Sequence, residues 1–216
     1  MVVKKILVVT SVEAEKIAIQ SALKDDERFH IETIGVGPMS ASAKTAEILS
    51  KDSYDVVINM GVGGGIPGIA TVGEIVVASE IIAADLGAES PTGFKPIEEL
   101  GFGQSRWSCD TTWTKKIVAG IETNTNVPVH RGPILTLSTV TGTDETLVRL
   151  QEQYKGAAAE AMEGAGVATA ASLRTIPCLE IRSVSNLVGP RDRGAWKLNE
   201  ALTSLSKVSH ILKEVF

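Results

Sequence analysis

Val56-Val57-Ile58-Asn59-Met60-Gly61-Val62-Gly63-Gly64-Gly65-Ile66-Pro67-Gly68 is an apolar, β-branched run that empties into glycine. Residues 56–60 read as a strand covered on both faces, because they are apolar rather than alternating. The next eight residues hold five glycines, which read as a loop whose backbone can approach a ligand closely or, more plainly, as a flexible connection. Working outward, similar short runs fall at residues 5–9, 30–35, 74–81, 129–137 and 178–184. Between them lie helical patterns over residues 13–23, 40–49, 144–155, 160–173 (rich in alanine) and 198–216 (amphipathic). Alternation of strand and helix predicts an α/β fold: a single domain over residues 1–216 with a central mixed, largely parallel twisted sheet flanked by helices. Residues 88–112 break the pattern with Gly, Pro and Ser, and read as a long excursion forming an interface or a lid.

Bulk properties narrow the function. The chain has 216 residues, 44% apolar and 22% charged, with a net charge of −5, ordinary values for a globular protein. Nothing is basic enough to hold a polyphosphate backbone, so no nucleic acid partner is expected. The apolar start at Ile6 is too short for a signal or membrane segment, and Cys109 and Cys178 show no metal-ligand spacing. A cytoplasmic, reduced protein with no membrane partner, no metal and no cofactor is expected.

In α/β sheets ligands bind beyond the carboxyl ends of strands. Glu13 and Glu15 follow the first strand; both suit the first turn of a helix, and either could serve as a general base. Gly35-Val36-Gly37-Pro38 follows the second and lacks the remainder of a dinucleotide fingerprint. Glu160 and Glu163 open the alanine-rich stretch, three apart and on one helical face; a buried carboxylate there needs a partner, which ligand hydroxyls could provide. After the last strand, Arg182-Ser183-Val184-Ser185-Asn186 forms a polar cluster. Arg191 and Arg193 read as surface ion pairs with Asp192 and Glu200, the alternative being partners for a substrate carboxylate.

Taken together and in order, these patches resemble the nucleoside phosphorylase/nucleosidase superfamily over nearly the whole chain. The resemblance rests on the turn at 10–15, Gly35-Val36-Gly37, the glycines at 61–65, Val72-Gly73-Glu74-Ile75-Val76-Val77, His130-Arg131-Gly132, Ala161-Met162-Glu163-Gly164 and Arg182-Ser183-Val184-Ser185-Asn186. It implies a small-molecule nucleoside as substrate and a homo-oligomer, with the excursion as candidate interface. It also implies roles. Glu15 matches the water-activating glutamate, Met162 and Glu163 the pair at the ribose, and Arg182 the residue that positions water. Gly63 and Gly64 would approach the nucleoside through backbone, Val140 would lie against the purine, and Ser185 would bind substrate.

Adenine-specific nucleosidases of that family carry Asp where this chain has Asn186. An amide donates to a 6-oxo group or N7 without first taking up a proton, which favours hypoxanthine. The segment Asn186-Leu187-Val188-Gly189-Pro190-Arg191-Asp192, followed by Trp196, is similar to that of the futalosine hydrolases of menaquinone biosynthesis. The expected reaction is hydrolysis of an N-glycosidic bond, with Glu15 as base, Asn186 stabilising the departing purine, and Arg182 as the one well-placed cation. The alternatives are a methylthioadenosine/S-adenosylhomocysteine nucleosidase, a 6-oxopurine nucleoside phosphorylase and a catalytically silent binding protein.

Overall fold

The computed structural model describes residues 5–216, apart from the Arg193 side chain. In chain order the elements are β1 (Ile6–Thr10), α1 (Glu13–Leu23), β2 (Phe29–Thr33), α2 (Pro38–Lys51), β3 (Val56–Gly65), β4 (Ile75–Ala83), β5 (Gly87–Ser90) and β6 (Gly93–Pro96). There follow β7 (Arg106–Ser108), α3 (Thr111–Asn124), β8 (Val129–Thr136), α4 (Asp144–Gln153), β9 (Ala159–Ala161), α5 (Gly164–Ser172), β10 (Cys178–Leu187), α6 (Leu198–Ser209) and α7 (Leu212–Val215).

One eight-stranded sheet organises them, in the order β10-β4-β8-β9-β3-β1-β2 with β7 on β4. The pairs β1–β2, β1–β3, β10–β3, β4–β8 and β8–β9 are parallel, while β10–β4, β3–β9 and β4–β7 are antiparallel. The expected mixed, largely parallel sheet with flanking helices is therefore present. It is partly closed rather than open, because β10 pairs with both β3 and β4. All five residues of β1 are buried, since one core lies on each side: Ile6 and Val8 in the larger, Leu7 and Val9 in the smaller against α2 and α5.

Tertiary pairing overrides local propensity at several points. The glycines at 61–65 are not a loop; they extend β3, paired with β10 along one edge and β9 along the other. The helix expected from residue 160 starts at Gly164, because residues 159–161 are buried and bonded between β8 and β3 as β9. Glu160 and Glu163 thus share no helical face. The amphipathic stretch at 198–216 divides into α6 and α7, and the excursion contains the β5–β6 hairpin and the edge strand β7. Helix α3 is a further element, which Asp110 starts by accepting the amide of Trp113 at 2.9 Å. Among the described residues, no helix is long and apolar enough to cross a membrane.

Candidate active site

The short turn between β1 and α1 sets Glu15 in place. Val12 is extended at the helix N-cap and offers no side-chain oxygen, so Glu15, at the third helical position, turns back over the helix start. Its Oε2 accepts the amides of Ser11 at 2.9 Å and Val12 at 3.2 Å, and its Oε1 accepts the amide of Val62 in β3 at 2.8 Å. Glu13, by contrast, is exposed. Burial pushes the Glu15 carboxyl above the usual carboxylate range, against the opposing pull of the Arg182 guanidinium and the three amides.

Arg182 lies on β10 opposite Gly61 and is 1% exposed. Its Nε donates to Glu180 Oε1 at 2.9 Å, and its Nη2 lies 2.8 Å from the same oxygen and 3.1 Å from Glu163 Oε2. Its Nη1 donates to the carbonyl of Val62 at 3.2 Å. Glu163 Oε1 in turn accepts the amide of Gly37 at 3.1 Å, tying the glycine turn before α2 to the cluster. Three buried carboxylates therefore surround one guanidinium. Burial opposes the charge of Arg182, but Glu180, Glu163 and Glu15 outweigh it and hold its pKa above the ordinary value.

The glycines of β3 make room for this arrangement. A Cβ on Gly61 would fall 2.5 Å from Glu15 Oε1 and 2.8 Å from Arg182 Nη1, and one on Gly63 would fall 2.8 Å from the carbonyl of Glu160. At the far end of β10, one extra residue, Ser185, is bulged between the Val184–Gly63 and Asn186–Gly64 pairs. Ser185 Oγ accepts from Trp196 Nε1 at 2.8 Å and stands 3.0 Å from Asn186 Oδ1 and 3.2 Å from the carbonyl of Gly63. Asn186 Nδ2 donates to the carbonyl of Leu187 at 2.9 Å, which leaves its second proton for another acceptor.

The structure thus brings together Glu15, Glu163 and Arg182, and separately Ser185 and Asn186, with Gly63 and Gly64 beside them on β3. Met162 and Val140 are half-buried in the turns after β9 and β8. Arg191 is exposed and makes no ion pair among the described residues; the side chain of Arg193 lies outside them. Among the described residues no cluster of His, Cys, Asp and Glu is arranged to hold a metal ion. Sequence reasoning missed Glu180 and Asn59, whose Nδ2 donates to Glu180 Oε1 at 3.1 Å. A signal was there: Glu180 is an acid inside an apolar strand, two residues before Arg182 and so on the same face. It also missed the pairing of Glu160 with Thr141, which gives its amide to Oε1 at 2.9 Å and its hydroxyl to Oε2 at 2.5 Å.

Residues 9–215 match the family model of the phosphorylase superfamily, and the chain belongs to that superfamily. Within it, the chain is similar both to futalosine hydrolases and, at lower identity, to 5'-methylthioadenosine/S-adenosylhomocysteine nucleosidases, of which that of Maridesulfovibrio salexigens is 28% identical over 84% of this chain and 79% of the other. It is 47% identical to the futalosine hydrolase of Streptomyces coelicolor over 80% of this chain and 73% of that one. It is 42% identical to that of Acidothermus cellulolyticus over 93% of this chain and 87% of the other. The solved futalosine hydrolase of Helicobacter pylori, 16% identical, superposes with a TM-score of 0.84 over 98% of both chains and shares the fold.

Proposed function

We infer that this chain hydrolyses the N-glycosidic bond of futalosine, releasing hypoxanthine and the dehypoxanthine product. Identity to two futalosine hydrolases supports the substrate. The observation that carries hydrolysis over phosphorolysis is the charge around Arg182. This cation already contacts Glu163 and Glu180 and lies within the electrostatic reach of Glu15. A phosphate entering there would meet carboxylates rather than free guanidinium or ammonium groups, whereas neutral water meets no such barrier.

In this reading Glu15 takes a proton from water as it attacks the ribosyl C1′. Glu163 accepts the ribose hydroxyls, and Arg182 holds Glu163 and helps place the water. Asn186 donates its free Nδ2 proton to the purine as negative charge grows on it, while Gly63, Gly64, Met162, Val140 and Ser185 line the nucleoside. The protein works in the cytoplasm as a homo-oligomer. Support for assembly comes from a groove of about 560 Å³ lined by Pro38, Met39, Leu86 and Trp107, with Met39 81% exposed.

The test offers purified protein futalosine, inosine and methylthioadenosine, with and without phosphate, and follows the free base by chromatography. Hypoxanthine from futalosine, unaffected by phosphate, is the expected result. Adenine from methylthioadenosine alone, or release that requires phosphate, overturns the reading. Size-exclusion chromatography with light scattering tests assembly, and a monomeric mass at micromolar concentration overturns it.

A further inference from the structure

Four acids are buried in and around the site, and one of them is bonded differently from the rest. Glu15, Glu160 and Glu163 each accept hydrogen bonds on both carboxyl oxygens. Glu180, which has no exposed surface, gathers its donors on Oε1 alone: Arg182 Nε at 2.9 Å, Arg182 Nη2 at 2.8 Å and Asn59 Nδ2 at 3.1 Å. Its Oε2 is buried and takes no donor among the described residues. The backbone of Gly164 closes on that oxygen, since a Cβ there would overlap it.

A second unpaired oxygen lies on the neighbouring side chain. Asn59 is equally buried, its Nδ2 is committed to Glu180 Oε1, and its Oδ1 has no donor among the described residues. Buried polar atoms are nearly always paired, and two acceptors cannot pair with each other. One proton resolves both, because a neutral carboxyl has an O–H that donates and an amide oxygen accepts it. Asn59 and Glu180 then exchange two hydrogen bonds around one ring, Nδ2–H to Oε1 and Oε2–H to Oδ1. Three donors on Oε1 and none on Oε2 is the pattern expected of an acid whose carbonyl is Oε1 and whose hydroxyl is Oε2.

We propose that Glu180 is a positioning residue held as the neutral acid, with Asn59 Oδ1 accepting its Oε2 proton while its Oε1 orients the Arg182 guanidinium. The inference rests on the proposed hydrolysis only for its effect on the base. The guanidinium then serves two ionised acids, Glu15 and Glu163, instead of three. A third buried anion would oppose the charge on Glu15 and make the base harder to ionise. The neutral acid holds Arg182 through the same oxygen without that penalty. Burial raises the Glu180 carboxyl above the usual range, with Glu163 reinforcing it, against the pull of Arg182 and Asn59. The other titratable groups within electrostatic reach of Glu180 are thiols that add no charge: burial pushes Cys109 up to about 12 and Cys178 well above its ordinary value.

The test compares Glu180→Gln and Glu180→Leu with the unaltered protein. Gln reproduces the neutral acid, with an oxygen for Arg182 and Asn59 Nδ2 and an N–H for Asn59 Oδ1, whereas Leu keeps the size and loses every hydrogen bond. The Leu variant should lower kcat for futalosine by about tenfold or more with little change in KM, and the Gln variant should recover most of that loss. The acidic limb of kcat/KM should stay in place in the Gln variant. A limb that moves to lower pH, or a Gln variant as impaired as the Leu variant, shows that Glu180 acts as an anion and overturns the proposal. A second readout needs no turnover. At neutral pH the infrared difference between the unaltered protein and the Gln variant should contain the carbonyl band of a protonated carboxyl. A carboxylate band in its place overturns the proposal, as does a Gln variant that does not fold. If the unaltered protein releases no base from futalosine, the proposed function has failed, and the infrared difference still decides the state of Glu180.

Discussion

Arg182 Nη2 lies 3.1 Å from Glu163 Oε2, with both side chains nearly inaccessible to water. Glu180 Oε1 takes Nε and the same Nη2 of that guanidinium, so a single cation is shared by two acids, one on β10 and one at the start of α5. Removing that cation strands three buried carboxylates. Replacing Arg182 by Met should destabilise the fold by about 3–5 kcal/mol in chemical denaturation. Lys should recover part of the charge but not the forked geometry, and should remain far below the parent in activity. A Met variant as stable as the parent would contradict the role given to the cluster.

Replacing Glu15 by Gln removes the base and retains a polar group of the same shape. Turnover of futalosine should fall by about 10²–10⁴-fold with little change in KM. Steady-state kinetics decide the matter, since comparable loss of binding and turnover would place Glu15 in binding rather than in proton transfer.

The pH dependence follows from the burial of Glu15. Its carboxyl titrates above the usual range, and a base must be ionised to act. The acidic limb of kcat/KM should therefore lie above the ordinary glutamate value of about 4.3, and activity should rise with pH through it. Stability should move the other way. Glu15, Glu160 and Glu180 all hold their protons more tightly when folded, burial being the leading cause for each. The stability they contribute is full below the unfolded pKa and is lost as pH rises through the folded one. Thermal melts of ligand-free protein across the same interval should show a falling contribution where activity climbs.

Gly61 admits no side chain without displacing the base. Gly61→Ala places a methyl against Glu15 Oε1 and Arg182 Nη1. A shift of the base by about 1 Å should lower kcat by roughly 10²-fold. Activity at the level of the parent would show that the glycine serves the backbone alone.

Asn186→Asp exchanges an amide donor for a carboxyl that must be protonated before it can donate. Hypoxanthine release should fall by about tenfold or more, with a gain on 6-amino nucleosides. A profile of the two bases by chromatography checks it, and an unchanged preference would remove Asn186 from base recognition.

Much of the fold can be read from local pattern. The runs at 56–60 and 178–184 are rich in β-branched and other apolar residues, interrupted only by the polar residues Asn59, Glu180, Arg182 and Ser183, and both form strands; the helix at 13–23 has the bounds its spacing indicates. The errors fall where a segment's partner is distant in sequence. Alanine-rich residues 159–161 favour helix on their own and become a strand because β3 and β8 bond to them. The glycines at 61–65 look like a loop and extend a strand because β10 and β9 lie on either side.

The sequence by itself determined which residue types were available: Glu15 at the mouth of a strand, Met162 and Glu163 together, and Arg182 four residues before Asn186, all carried by short-range motifs. Only the tertiary structure decided which acid is buried, separating Glu15 from the exposed Glu13. It alone joined Glu180 and Asn59 to Arg182, and Glu160 to Thr141. The physical reason is the range of the interactions. Periodicity and helix starts follow from neighbours a few residues apart, whereas the environment of a buried charge is set by strands brought together from opposite ends of the chain.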